Sequence, residues 1–275
     1  MLRLIFLPLT LLGLWLPSLA SAHFNLNQNV RILHVVHEEG GLSIYMRTPM
    51  PYLVAEQVGP LGPDGIPVPA PLTTNRMENG LLMHLVDWTA LQADPLMLGK
   101  LAADALVLST EGHVLPVEIK AVRVAPIGVE PGFASQAEAV QALTIRQVYP
   151  ATGNEIYVGD AVVDLHLWVP SPSPVQTYQL EMTNNPGLEG QDETANLILN
   201  YQDDDVRTYR AQGLLLEPIT VSGSPVAAAS TFLIEGIRHI PEGLDHVLFV
   251  LCMIIGAASL RSLIGRVTGF TMATQ

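Results

Sequence analysis

The chain has 275 residues with 26 acidic and 13 basic side chains, a formal net charge of -13. That balance excludes nucleic acid as a partner, since nucleic-acid surfaces call for basic proteins, and it excludes general docking to anionic lipid. The acids are scattered, which reads as a surface kept dispersed by like charge, and the single cysteine, Cys252, leaves no disulfide framework and no Cys-based zinc or redox motif.

Residues 1–22 have the three parts of a secretory signal: Arg3, the apolar run Leu4 to Trp15, and the small-residue site Ala20-Ser21-Ala22. The run is short for a membrane span and is interrupted by Pro8 and Pro17, so cleavage is expected, with His23 as the new N-terminus. An N-terminal His presents an α-amine and an imidazole together, a chelate that suits Cu or Ni. The plainer reading is that any residue can follow a cleavage site.

Arg31 to Met46 reads as a β-hairpin, with Glu38-Glu-Gly-Gly supplying the turn. His34 shares a strand face with Ile32 and Val36 and reads as a satisfied core histidine, while His37 points the other way. Side chains alternate along a strand, so the two make a poor metal pair. Pro49 to Pro71 reads as a long irregular excursion. Strand candidates follow at Leu81–Val86, Ala105–Ser109 and Val114–Val124, and Ala134 to Leu143 is a short helical candidate capped by Ser135. The first exported β unit is placed at 23–143.

A second unit, sandwich-like and mostly antiparallel, is placed at 144–225. Its strand candidates are Glu155–Val158, Ala161–Val169, Tyr178–Met182, Ala195–Tyr201 and Val206–Thr220. In the second of these, Val163, Leu165, Leu167 and Val169 form one face, and Asp164, His166 and Trp168 the other. Asp164 and His166 read as a solvated pair on an open face. Asp203-Asp204-Asp205 lacks the spacing and glycine of a calcium loop and reads as a turn. There is no Gly-rich phosphate loop, no Gly-x-Ser-x-Gly and no His-Glu-x-x-His, so an enzyme is not expected.

The end of the chain concentrates the chemistry. Val226 to Arg238 suits a pre-membrane helix (226–240), and Pro241 suits the first turn of a new one. The transmembrane helix is placed at 241–260, its apolar part spanning about 17 residues from Leu244 to Leu260, near the lower limit for a bilayer. His239, Asp245 and His246 stand at its mouth, where ionisable groups are costly and therefore candidates for function. His and carboxylate together suit a borderline divalent metal. A helix cap with its histidine at the lipid interface is the structural alternative. Arg261 and Arg266 follow the apolar block and favour the cytoplasmic side, placing the β region outside.

His239-Ile-Pro-Glu-Gly-Leu-Asp245-His246, then Val-Leu-Phe249, resembles the first membrane helix of the HupE/UreJ family. The shared pattern is His, five residues, then Asp-His, with Gly243 two residues before the Asp. Gly269-Phe-Thr271 resembles the start of that family's next helix, and Arg31 to His37 with Met50 to Ala55 looks like the branch carrying a large N-terminal periplasmic domain. Many members have Pro directly after the first His; here Ile240 intervenes. The resemblance implies a bacterial inner-membrane permease for Ni, with Co, Zn or Cu as alternatives, and His239, Asp245 and His246 as ligands on the path. With 261–275 read as a cytoplasmic turn and the start of a truncated second helix, the resemblance also implies an incomplete path: a fragment, a truncated gene product, or one part of an assembly with other membrane helices or a protein partner. The leading expectation is a membrane-anchored metal-handling protein. The alternative is an exported β-sandwich binding or assembly module tethered by a C-terminal helix.

Overall fold

The computed structural model describes residues 28–150, 155–203 and 205–222, and the chain divides into two units at Val221/Ser222. The expected signal, pre-membrane helix and membrane helices lie outside the described residues. Among the described residues no helix is long and apolar enough to cross a membrane.

The described part is mostly β. Strands β1 (Val30–Glu38) and β2 (Gly41–Pro49) form the expected hairpin, with Gly40 in the left-handed region at φ +86. They lie at the middle of a six-stranded sheet ordered β11-β10-β1-β2-β8-β7, where β7 is Glu118–Pro126, β8 Ala161–Pro170, β10 Ala195–Gln202 and β11 Asp205–Gln212. A four-stranded sheet is ordered β12-β9-β5-β6, from β12 (Ile219–Ser222), β9 (Thr177–Met182), β5 (Leu106–Thr110) and β6 (His113–Val114). β3 (Thr73–Glu78) and β4 (Leu81–Val86) make a separate hairpin.

Two expectations change here. The 23–143 and 144–225 units are joined in one sheet, because β1 pairs with β10 and β2 with β8. The pairing is mostly antiparallel, as expected, with the β1–β10 pair parallel. The chain leaves β9 in the smaller sheet and returns to the larger one beside β1, and that crossover sets the direction. Glu155–Val158 is not a strand but a single bridge, Tyr157 to Leu85, leading into a 3-10 turn at Val158–Asp160.

One apolar cluster takes Leu33, Ile44, Met46, Leu165 and Leu167 from the large sheet and Leu106, Leu108, Leu180 and Val221 from the small one. The reading of β8 holds on this side: Val163, Leu165, Leu167 and Val169 are all fully buried. Three helices absent from the sequence reading also pack here, α1 (Pro51–Val54), α2 (Trp88–Ala93) and α3 (Met97–Ala105). α2 is capped by Asp87, whose Oδ1 accepts from Thr89 N and Ala90 N at 3.0 Å each. α3 lies on β7 at Gly99, where an added Cβ would come within 2.6 Å of Ile119 Cγ2 and 2.7 Å of Val122 Cγ2.

The outer face of the large sheet is covered too. Helix α4 (Gln136–Thr144) matches the expected helix and its cap: Ser135 Oγ accepts from Glu138 N at 3.3 Å, and Glu138 Oε2 accepts from Ala134 N at 2.6 Å. α4 lays Ala139 and Ala142 against Val36, Tyr45 and Phe133 in a second cluster. All nine residues of β2 are consequently buried.

That cover overturns the solvated reading of Asp164, which is 1 % exposed. Register places Asp164 on β8 directly between Arg47 on β2 and Arg123 on β7. Arg47 holds it with Nε at 2.6 Å and Nη2 at 2.8 Å, and Arg123 Nη1 stands at 3.5 Å. Arg47 Nη1 donates to Pro131 O at 2.9 Å, and its guanidinium lies 4.5 Å from the Phe133 ring centre. Removing one partner of a buried ion pair typically costs about 3–5 kcal/mol, because the other charge stays buried and unpaired. Asp164→Ala, which strands two arginines, is expected to lose that much in urea unfolding followed by tryptophan fluorescence, and Arg47→Met with Asp164→Leu to recover part of it.

Candidate functional site

The sequence-derived candidates His23, His239, Asp245 and His246 lie outside the described residues. Among the described residues no group of three or more His, Cys, Asp or Glu is gathered to hold a metal ion. The geometry explains this histidine by histidine.

His34 is fully buried under α4. Its Nε2 faces the Phe133 carbonyl at 3.0 Å and must donate there, so Nδ1 accepts from the Tyr201 hydroxyl at 2.9 Å. Both nitrogens are used, which bears out the reading as a satisfied core histidine. Burial pushes the ring below the ordinary histidine value, against the opposing influence of the Phe133 carbonyl and the Glu138 charge. His166 stacks on Tyr45, with centroids 4.5 Å apart, and shares a 3.2 Å hydrogen bond with Ser43 Oγ. Burial lowers its affinity for a proton as well. His84 meets Asn75 Oδ1 at 2.7 Å across the β3–β4 hairpin.

His37 is different. It is half-buried on the opposite face of β1 and meets Asn200 Oδ1 at 2.9 Å through Nε2. Asn200 Oδ1 also accepts from the buried Tyr178 hydroxyl at 2.9 Å, so His37 Nε2 donates to an oxygen shared with the core. His37 lines a cleft of about 450 Å³ beside the β1–β2 turn. Glu38, Glu39, Gln176, Gln202 and Asp203 line the same cleft, which gives it an acidic, cation-attracting mouth. The signal for it was present in the sequence as His37-Glu-Glu-Gly-Gly; the loop 171–176 that forms the other wall carried none.

Among the described residues, one buried cation has no carboxylate beside it. Arg31 is fully buried, with Nη1 3.2 Å from Asn196 Oδ1 and 3.4 Å from Leu214 O, and its guanidinium lies 5.1 Å from the Tyr52 ring centre. Desolvation pushes it down to about 10. Tyr52 in turn bonds Thr194 Oγ1 and Asn29 Oδ1, so this cluster ties β1 to the crossover that precedes β10.

Residues 217–275 match the HupE / UreJ protein family. The matched stretch begins beside β12 and contains His239, Asp245 and His246. No curated protein matches the chain.

Asn200 is the link between the cleft and the core. An unsatisfied buried polar group costs about 1–3 kcal/mol, so Asn200→Ala is expected to destabilise the protein by that amount in chemical denaturation.

Proposed function

We propose that this is a membrane-anchored metal-handling protein whose metal ligands are His239, Asp245 and His246 at the mouth of the 241–260 helix. The observation that carries the reading is the family match over 217–275, which contains the His-x5-Asp-His pattern. Two imidazoles and a carboxylate are hard-to-borderline donors and suit Ni, Co, Zn or Cu in the +2 state. Ni is the ion we favour, because the HupE/UreJ family is one of nickel permease-like membrane proteins. Ionisable groups at helix depth are tolerated where they face a partner, and a metal ion is such a partner.

The positive residues Arg261 and Arg266 favour a cytoplasmic position after the span, which puts the β domain on the periplasmic side of an inner membrane. In that placement the acidic cleft at His37 faces the compartment from which cations arrive. Signal cleavage after Ala22 would add the His23 amine and imidazole as a second donor set. A second reading is a binding or assembly module tethered by a C-terminal helix, favoured by the cleft of about 450 Å³ on a domain that has its own core.

Isothermal titration of Ni²⁺ into the detergent-solubilised mature chain separates these readings. Micromolar or tighter binding is expected, and it should vanish in the double variant His239→Ala, His246→Ala. Binding that survives in the variant moves the site to His23 or the β domain, and absence of binding in both proteins favours the tethered module.

A further inference from the structure

The segment from Pro131 through α4 covers the outer face of the large sheet, and a small set of polar contacts holds it there. Arg47 Nη1 donates to Pro131 O, and His34 Nε2 to Phe133 O. The Tyr201 hydroxyl donates to His34 Nδ1, and its ring packs against the Phe133, Ala139 and Ala142 cluster. Apolar contact is thin: Ala139 and Ala142 are the residues α4 buries fully, beside Phe133. Glu138 is already engaged by Ala134 N. His34 thus ties the strap at its approach, through Phe133 O, and holds the Tyr201 ring that packs against the cluster α4 lays on the sheet.

We propose that residues 131–144 form a strap that releases from the six-stranded sheet when its surroundings turn acidic, with His34 as the trigger. A proton on Nδ1 removes the acceptor that the Tyr201 hydroxyl uses. The imidazolium then sets an N–H against that hydroxyl, which has to turn its own proton away from the ring. The new charge also lies at the N-terminus of α4, where the helix dipole opposes a cation.

The surroundings of His34 decide the sign. β2 presents Tyr45 and the cation Arg47, β10 presents Tyr201, and the strap presents Glu138, whose charge favours a proton on His34. His166 and Asp164 on β8 face the same side, each with its own partner, Ser43 and Arg47 respectively. Burial outweighs Glu138, so His34 is harder to protonate in the closed strap than when released. Closure is then complete above the free histidine value of about 6.5 and weakens as pH falls below it, by up to about tenfold per pH unit for one proton. The device stands independently of the metal reading, since none of its groups belongs to the terminal motif.

Hydrogen exchange on the full-length chain in detergent, from pH 8 to pH 5, tests it. Protection of amides in 136–144, corrected for intrinsic exchange, is expected to fall below pH 6.5 while β2 amides stay protected. His34→Gln, which can donate to Phe133 O and accept from Tyr201 without titrating, is expected to abolish the fall, and Glu138→Gln and His166→Gln to retain it. Constant protection in the wild type overturns the proposal, as does an acid step that survives in His34→Gln, disappears in His166→Gln, or takes β2 with it. If His34→Gln does not fold, the His34 ring titration in the unaltered protein replaces it: a midpoint coinciding with strap release supports the trigger, and one that does not coincide sinks it.

Discussion

A sheet covered on both faces must satisfy its polar side chains from within, and that constraint governs this domain. β2 has no exposed residue, so Ser43, Arg47 and Thr48 cannot rely on water. Arg47 meets the demand by register, since β8 places Asp164 directly opposite and β7 places Arg123 beyond it. The same arginine reaches out of the sheet to Pro131 O and the Phe133 ring. One side chain thus joins two strands and the layer above them. On the inner face Leu42, Ile44 and Met46 lie in the shared core, with Thr48 at the end of the row.

Much of this was legible in the sequence, and the parts that were not share a cause. Alternation fixed the two faces of β8, and Gly-Gly after two acids fixed the first hairpin. Ser135 with Glu138 three residues later marked the start of α4 correctly. These signals are local. Asp164 looked solvated because alternation tells which face a residue is on and says nothing about what covers that face. The cover is a segment about 20–30 residues away in sequence, and its contacts are backbone carbonyls, which no residue pattern announces. Helices α2 and α3 were hidden for another reason: Asp94-Pro95 splits Trp88 to Ala105 into two short pieces, and the Asp87 cap marks a start for the first alone. The parallel pairing of β1 with β10 lies beyond periodicity altogether, since period 2 does not encode partner or direction.

The candidate site divides the same way. His34 and His37 were correctly separated onto opposite faces, and their different partners follow from that separation. His34 lies against a helix and uses both nitrogens. His37 lies at the rim of a cleft and uses one. The residues proposed to bind metal belong to neither, and they rest on a sequence motif and a family match in the last part of the chain. The β domain adds an acidic mouth, with no assembled ligand set among its described residues.

The pairing of β1 with β10 also bears on how the protein is made. Arg31 and Asn196, joined across that pair, stand 165 positions apart. β1 leaves the ribosome early and its parallel neighbour late, so the hairpin spends most of synthesis with one hydrogen-bonding edge unmet. Contacts of such long range fold slowly, and open strand edges recruit other chains in the meantime. The nascent hairpin carries Arg31 and His37 on the waiting strand, and charge on an unpaired strand is a familiar guard against aggregation. Arg31, which has no carboxylate beside it among the described residues, would then have its use before folding ends, keeping an apolar strand solvated until Asn196 arrives.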